Sequence, residues 1–319
     1  MSAARNIHYL SDADVATLMP HIDVQISVVE QALRAIVSGT AHQPPKVSLD
    51  IVKESAFVHV MPVAIDQDPP HRAGDARLAG AKWISGGGGT AIGGVVLVER
   101  AGAGGLRGIV SAAGLTAART AAVSGAAIRV ARRGLASVSR VAFVGGGVQA
   151  HSHRAVLAVE HPAATVKFLT RRSASELPLR AGDRVAENAE EALRDADLLI
   201  TAAAFGTEAR ALPLGLLAPD ATIIAIDYST SIRGEDLALL RAHRPVRLMT
   251  DSAEQFNATR AAGKLDGWPQ ISEEIGADGG AGLAGTTIVN HLGIAACDLL
   301  LADLLLARAE ERGIGTLLG

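Results

Sequence analysis

The sequence predicts an α/β protein built on a doubly wound parallel sheet, and two observations carry that expectation. Val141-Ala142-Phe143-Val144 runs straight into the glycine cluster Gly145-Gly146-Gly147, and His151 to Glu160 then reads as a helix with Ala155, Val156 and Val159 on its inner side. From there to about residue 290, short apolar runs alternate with amphipathic helical stretches, the pattern of a sheet covered by helices on both faces. Strand, tight turn and helix give the G-x-G-x-x-(G/A) spacing a physical meaning. Gly145 makes the turn, Gly147 lets a pyrophosphate approach the backbone, and Ala150 stands where helix and strand pack closely. The unpaired N–H groups of the helix start favour an anion. Val148 and Gln149 belong to the same candidate dinucleotide turn, and Thr201, in the third strand of this half, is a further candidate contact.

The elements follow in chain order. Ser11 opens a helical stretch in which Val15, Leu18, Met19, Ile22, Val28, Val29, Leu33, Ile36 and Val37 recur at helical spacing, interrupted by Pro20 and ended by Gly39. Residues 47–49 and 57–61 read as short strands, with Pro44-Pro45 ahead of the first. Residues 66–75 are a polar, turn-rich connection. Residues 78–84 return to strand character and carry Lys82 and Trp83, followed by the run Gly86 to Gly89. Residues 92–99 and 106–110 form a hairpin around the turn at 101–105. A long amphipathic helix runs from Leu115 to about Arg133 with Thr116, Arg119 and Thr120 in its first turns. Strands are expected at 165–170, 198–203, 222–227, 246–250 and 286–289, and helices at 187–194, 212–217, 236–243, 253–262 and 293–312. Asp298 and Asp303 break the apolar run of the last helix.

Composition narrows the function classes. The 319 residues suffice for two domains, and a net charge of −3 with pI near 6.4 argues against nucleic acid or a membrane surface as principal partner. Cys297, the single cysteine, excludes an internal disulfide and reads as a small hydrophobe on a buried helix. No apolar run reaches the roughly 18–20 residues that span a bilayer, and no basic start precedes an apolar block, so a cytoplasmic protein is expected. The ten histidines form no metal-ligand spacing, His151 and His153 facing apart on their helix, and no serine nucleophile elbow is present.

At the tip of the second nucleotide-domain strand, an acid would bind a ribose 2′-hydroxyl and select NAD, whereas arginine accommodates a 2′-phosphate. The chain has Thr170-Arg171-Arg172-Ser173 and no acid there, which favours NADP(H) over NAD(H) against the plainer reading of a solvated basic turn. Lys82 lies in an apolar strand, as an edge lysine reaching solvent or as an anchor or proton donor for a carboxylate substrate. Arg119 and Lys46 are the other candidate cations. A carboxylate pocket needs such groups to converge.

With these residues assembled, the chain resembles the ornithine cyclodeaminase/μ-crystallin family over nearly its whole length. The resemblance rests on Gln43-Pro44-Pro45-Lys46, Met61-Pro62, Ala81-Lys82-Trp83-Ile84, the block Leu115 to Ala122, the fingerprint ending Gln149-Ala150, and His291-Leu292-Gly293-Ile294-Ala295 followed by Asp298. It implies a Rossmann-type nucleotide domain, residues 119–292, and a discontinuous α/β substrate and dimerisation domain, residues 1–118 with 293–319. It further implies that Lys82 and Arg119 hold a substrate carboxylate beside the nicotinamide, with Lys46 assisting, Met61 at the substrate and Thr120 at the cofactor. Family activities share an imine at the α-carbon, formed or consumed by hydride transfer: ketimine reductases, amino-acid dehydrogenases and cyclodeaminases that recycle one bound NAD.

Two departures matter. Cyclodeaminases carry a glutamate two residues before the Met-Pro pair, where this chain has His59. They also carry a proton-transferring aspartate after the fourth nucleotide-domain strand, for which Asp227 is the nearest carboxylate although Thr230 aligns with the position. The expectation is therefore a dimeric NAD(P)-dependent oxidoreductase acting on the C–N bond of a small α-imino or α-amino acid, with Lys82 and Asp227 as candidate catalytic groups. The alternatives are an ornithine or lysine cyclodeaminase and a non-catalytic, crystallin-like NADP-binding protein.

Overall fold

The computed structural model describes residues 6–51, 56–66, 77–87, 90–100, 105–204, 211–265, 267–277 and 285–319. Nearly all of the connection expected at 66–75 and of the turn at 101–105, half of the glycine run 86–89 and most of the stretch 276–285 lie outside them.

The chain opens with β1 (Ile7–Leu10), α1 (Asp12–Leu18), α2 (Ile22–Val37), β2 (Ala41–His42), β3 (Val47–Ile51), β4 (Ala56–Ile65), β5 (Leu78–Gly87), β6 (Thr90–Arg100), β7 (Leu106–Ser111) and α3 (Ala112–Ala131). It continues with β8 (Arg140–Val144), α4 (Val148–Glu160), β9 (Thr165–Leu169), β10 (Arg184–Val185), α5 (Ala189–Leu193), β11 (Leu198–Thr201), β12 (Thr222–Ala225), α6 (Gly234–His243), β13 (Val246–Met249), α7 (Ala253–Ala261) and β14 (Thr286–Asn290). It closes with α8 (Ala295–Arg312) and β15 (Thr316–Leu318). Ser11 caps α1 in a reciprocal box with Asp14, and Gly39 ends the second helix at φ +72°. Contacts divide the chain into two units, residues 1–120 with 293–319, and residues 121–292.

The first unit is an eight-stranded sheet in the order β15-β1-β7-β6-β5-β4-β2, with β3 also paired to β4. Side chains alternate across a strand, so register assigns each residue a face. Leu78, Gly80, Lys82 and Ile84 of β5 face α8, which packs on β4, β5 and β6. The approach is close. A Cβ at Gly80 would lie 2.2 Å from the Leu97 carbonyl oxygen and 2.8 Å from Leu299. Leu299, Leu300, Leu301, Leu305 and Leu306 of α8 are all buried, each stabilising the fold by about 1.5–3 kcal/mol in area terms. The opposite face carries Val47, Leu49 and Ile51 of β3, Val58, Val60 and Pro62 of β4, Trp83 of β5, and Val95 and Leu97 of β6.

The second unit is the expected Rossmann-type sheet, seven parallel strands in the order β10-β9-β8-β11-β12-β14-β13. Winding reverses between β8 and β11, so the glycine turn after β8 sits at the switch point where such sheets bind ligands. Leu199, Ile223 and Ile288 stand side by side on β11, β12 and β14 and are all fully buried. Their neighbours along each strand are buried too, which explains why these strands read as unbroken apolar runs.

Three differences from the sequence reading have physical causes. β4 and β5 are ten residues each, longer than expected: β4 continues past Pro62 through Val63, Ala64 and Ile65, an apolar run with no alternation in the sequence, and β5 through the small residues Ser85, Gly86 and Gly87. β1 and β15 leave no periodic mark on the sequence. They are short end strands that pair with each other across almost the whole chain, and β1 also pairs with β7. The expected helix at 212–217 is only a 3-10 turn at Leu214–Leu216, with Pro213 at its N-cap. None of the described helices is long and apolar enough to cross a membrane.

Candidate active site

In the first unit, α8, β5 and α3 bring three charges to one buried point. Lys82 Nζ donates to Asp298 Oδ1 at 2.8 Å, and Arg119 Nε donates to the same oxygen at 3.1 Å. Lys82 is 1% exposed, Asp298 0% and Arg119 6%. Burial pushes the Lys82 ammonium down to about 8, with Arg119 and Lys46 adding to the effect and Asp298 opposing it. Met61 stands directly opposite Lys82 in the β4–β5 register. Lys46 precedes Val47, which opposes Val60, so alternation puts Lys46 on the face of Met61 and Lys82. The expected cations therefore converge.

The electrostatics of this cluster call for an anion. Two buried cations share one oxygen of one carboxylate, which leaves an unbalanced positive charge where water is scarce, and such a charge is costly unless paired. Asp298 Oδ2 is itself buried without a hydrogen-bond partner. In the sequence, Asp298 stands as an interruption of an apolar helix and as part of the family resemblance, without a role at the site. Its signal is its place in the first turn of α8, where an acid complements the helix dipole. Gln43 completes that helix end, its Oε1 accepting from the Ala296 N–H at 3.0 Å. The Arg119 guanidinium lies against Gly293, where a Cβ would come within 2.6 Å of Nη1.

In the second unit, the glycine turn has the geometry a pyrophosphate needs. Gly145 has φ +119°, and a Cβ there would lie 2.4 Å from the Ala202 carbonyl oxygen. Gly147 is the N-cap of α4, which begins at Val148 and so starts earlier than the sequence suggests. A Cβ on Gly147 would meet nothing within 4 Å, so its open side faces free space. Val148 is 68% exposed at this rim, and Gln149 Oε1 is buried without a partner. Ala150 is fully buried, as close packing of helix on strand requires. The residues present fit a dinucleotide.

The tip of β9 differs from expectation. Gly146 lacks a side chain where Thr170 Oγ1 and Arg172 Cδ would lie within 2.6 and 3.0 Å of one, so the turn packs on the Thr170–Ser173 loop. The sequence places no acid there, yet the fold brings one in. Glu176 accepts from Arg172 Nη1 at 3.0 Å and from the Ser173 N–H and Oγ at 3.0 and 2.8 Å.

Asp227 is 1% exposed and accepts from Thr201 Oγ1 at 2.9 Å, the Ala203 N–H at 3.0 Å and Ser231 Oγ at 2.5 Å. Burial pushes its carboxyl up, and these hydrogen bonds oppose the shift. With these donors on it, Asp227 ties the ends of β11 and β12 together. Thr201 is its partner, and Thr120 is buried on α3.

A buried polar triad has no counterpart in the sequence reading. Ser124 Oγ lies 2.8 Å from His153 Nε2 and 2.9 Å from His291 Nε2, and His153 Nδ1 lies 2.8 Å from the Gln149 carbonyl oxygen. Burial pushes His153 down to about 3, so it is neutral at physiological pH. A carbonyl only accepts, so Nδ1 carries the His153 proton, Ser124 donates to Nε2, and Ser124 in turn accepts from His291 Nε2–H. Among the described residues, no cluster of histidine, cysteine and acidic side chains is arranged to hold a metal ion.

Comparison with known proteins places this geometry. The model of the ornithine cyclodeaminase/mu-crystallin family matches residues 8–267. The Rhizobium meliloti nodulation efficiency protein NfeD is 26% identical over 333 residues, covering 98% of each chain. The Thermococcus litoralis Δ1-pyrroline-2-carboxylate reductase, solved with NADH and L-proline, has a TM-score of 0.79 at 20% identity, covering 97% of this chain and 99% of its own. The Paracoccus denitrificans iminosuccinate reductase, solved with NAD+, has a TM-score of 0.77 at 19% identity, covering 99% and 100%. These two likenesses show a fold shared along the whole chain, and the match over residues 8–267 shows that the chain belongs to the ornithine cyclodeaminase/mu-crystallin family.

Proposed function

We propose that the chain is an NAD(P)-dependent oxidoreductase acting at the C–N bond of a small α-imino or α-amino acid, of the imine reductase or amino-acid dehydrogenase type. The observation that carries this reading is the buried Lys82–Asp298–Arg119 cluster, whose unbalanced positive charge suits an α-carboxylate. Lys82 and Arg119 clamp that carboxylate and Lys46 assists. Met61, opposite Lys82, supplies an apolar wall. The glycine turn and the N-terminus of α4 hold the pyrophosphate, with Thr120 and Thr201 at the cofactor. When bound, the nicotinamide supplies or accepts the hydride at the substrate α-carbon. Lys82, held near 8, is poised to hold or give the proton at the nitrogen. The related structures with NADH and L-proline and with NAD+ support a nicotinamide cofactor. Arg171 and Arg172 support NADP(H) over NAD(H).

The test is NADPH oxidation across a panel of cyclic and acyclic α-imino acids as a function of pH. Expected is kcat/KM that falls as pH rises through about 8, because the free enzyme then loses the Lys82 proton. Stability moves the other way. Between about 8 and the ordinary 10.5 the unfolded chain keeps a proton that the folded chain has released, so Lys82's contribution to stability rises with pH. A kcat/KM profile flat across this window would contradict the role of Lys82.

We also propose a homodimer formed through the open face of the first unit's sheet. Leu49 is 55% exposed, Val47 53% and Trp83 48%, and they lie together on one face by register. A contiguous apolar face of this kind marks an association surface. Changing Leu49 and Trp83 to Lys together is expected to convert a dimer to a monomer in light scattering. An unchanged dimer mass would place the interface elsewhere.

A further inference from the structure

The loop after β9 contains its own anion. Arg172 Nη1, the Ser173 N–H and Ser173 Oγ all donate to the Glu176 carboxylate, at 3.0, 3.0 and 2.8 Å. Guanidinium, hydroxyl and backbone N–H are the donor types that a phosphate monoester takes. The loop is fixed in place. Thr170 Oγ1 accepts from the Arg172 N–H at 3.2 Å, and Gly146 of the glycine turn packs against both residues. Arg171 is exposed. The hydrogen bonds from Ser173 hold the Glu176 carboxyl below the usual range, so it is charged at neutral pH.

We propose that Glu176 is a specificity-determining residue, a resident competitor that occupies the donors a ribose 2′-phosphate would use. The inference rests on the dinucleotide reading above. A 2′-phosphate must displace Glu176 from Arg172 and Ser173 or bind beside its charge, whereas a 2′-hydroxyl meets no such repulsion. Glu176 thus restrains the preference for NADP(H) that the two arginines create and keeps the loop open to NAD(H).

Titration of the full chain with NADPH and with NADH, read by nicotinamide fluorescence, tests this in wild type, Glu176→Gln, and Glu176→Gln with Arg172→Ala. Glutamine keeps an oxygen for Ser173, so the turn persists while the charge goes. The expected result is that Glu176→Gln tightens NADPH by about fivefold or more, changes NADH by less than about twofold, and loses most of the NADPH gain when Arg172 is also removed. The gain shrinks at high salt. An NADPH affinity unchanged in Glu176→Gln, or an equal change for both nucleotides, overturns the role of Glu176 and leaves the dinucleotide reading standing. Wild type binding neither nucleotide overturns the dinucleotide reading and this inference with it.

Discussion

Replacing Lys82 by methionine is expected to lower kcat/KM for the imino-acid substrate by about 10²–10³-fold while NADPH affinity stays within about twofold of wild type. Methionine keeps the buried volume of the stem and removes only the ammonium. What is lost is one of the two cations that share Asp298 Oδ1, so the cluster goes from one unbalanced positive charge to neutrality. A neutral cluster has no reason to desolvate a carboxylate. The proton held near 8 is lost with the same atom, so kcat falls along with affinity. Wild-type turnover in Lys82→Met would remove the site from consideration, whereas loss of turnover together with loss of NADPH binding would point to a collapsed fold.

Asp298→Asn has the opposite electrostatic sense and the larger effect on stability. It leaves Lys82 and Arg119 buried with no counter-charge, and breaking a buried pair by removing one partner costs about 3–5 kcal/mol. Denaturant unfolding should show a lower midpoint with an unchanged slope. Asp298 is also the largest influence holding the Lys82 pKa up, so in any folded Asp298→Asn protein the alkaline limb of kcat/KM moves to lower pH. A stability within about 1 kcal/mol of wild type would mean that the cluster is solvated rather than buried.

What the sequence makes legible is local. Val141 to Ala150 states strand, turn and helix within ten residues, so the dinucleotide turn and the doubly wound sheet can be read directly. Lys82 stands out because a lysine in an apolar strand needs an explanation. Its partner does not, because Asp298 lies 216 residues further along and only the packing of α8 on β5 joins them. Glu176 escapes notice for a related reason. It sits three residues past Ser173 and returns to the tip of β9 by a capping box, not by strand position. His153 reads as an ordinary helical histidine, since its partner Ser124 is on another helix and His291 follows a distant strand. The open apolar face is invisible for the opposite reason: Val47, Leu49 and Trp83 look like core, and only strand register shows that they point away from α8.

The most direct test of oxidoreductase chemistry follows NADPH and ammonia together, in one reaction, for the purified protein supplied first with a cyclic α-imino acid and then with ornithine. The expected result is NADPH loss equal to imine consumed, and no ammonia from ornithine without an added oxidant. Ammonia released from ornithine with no change in nicotinamide would contradict it and identify a self-recycling cyclodeaminase.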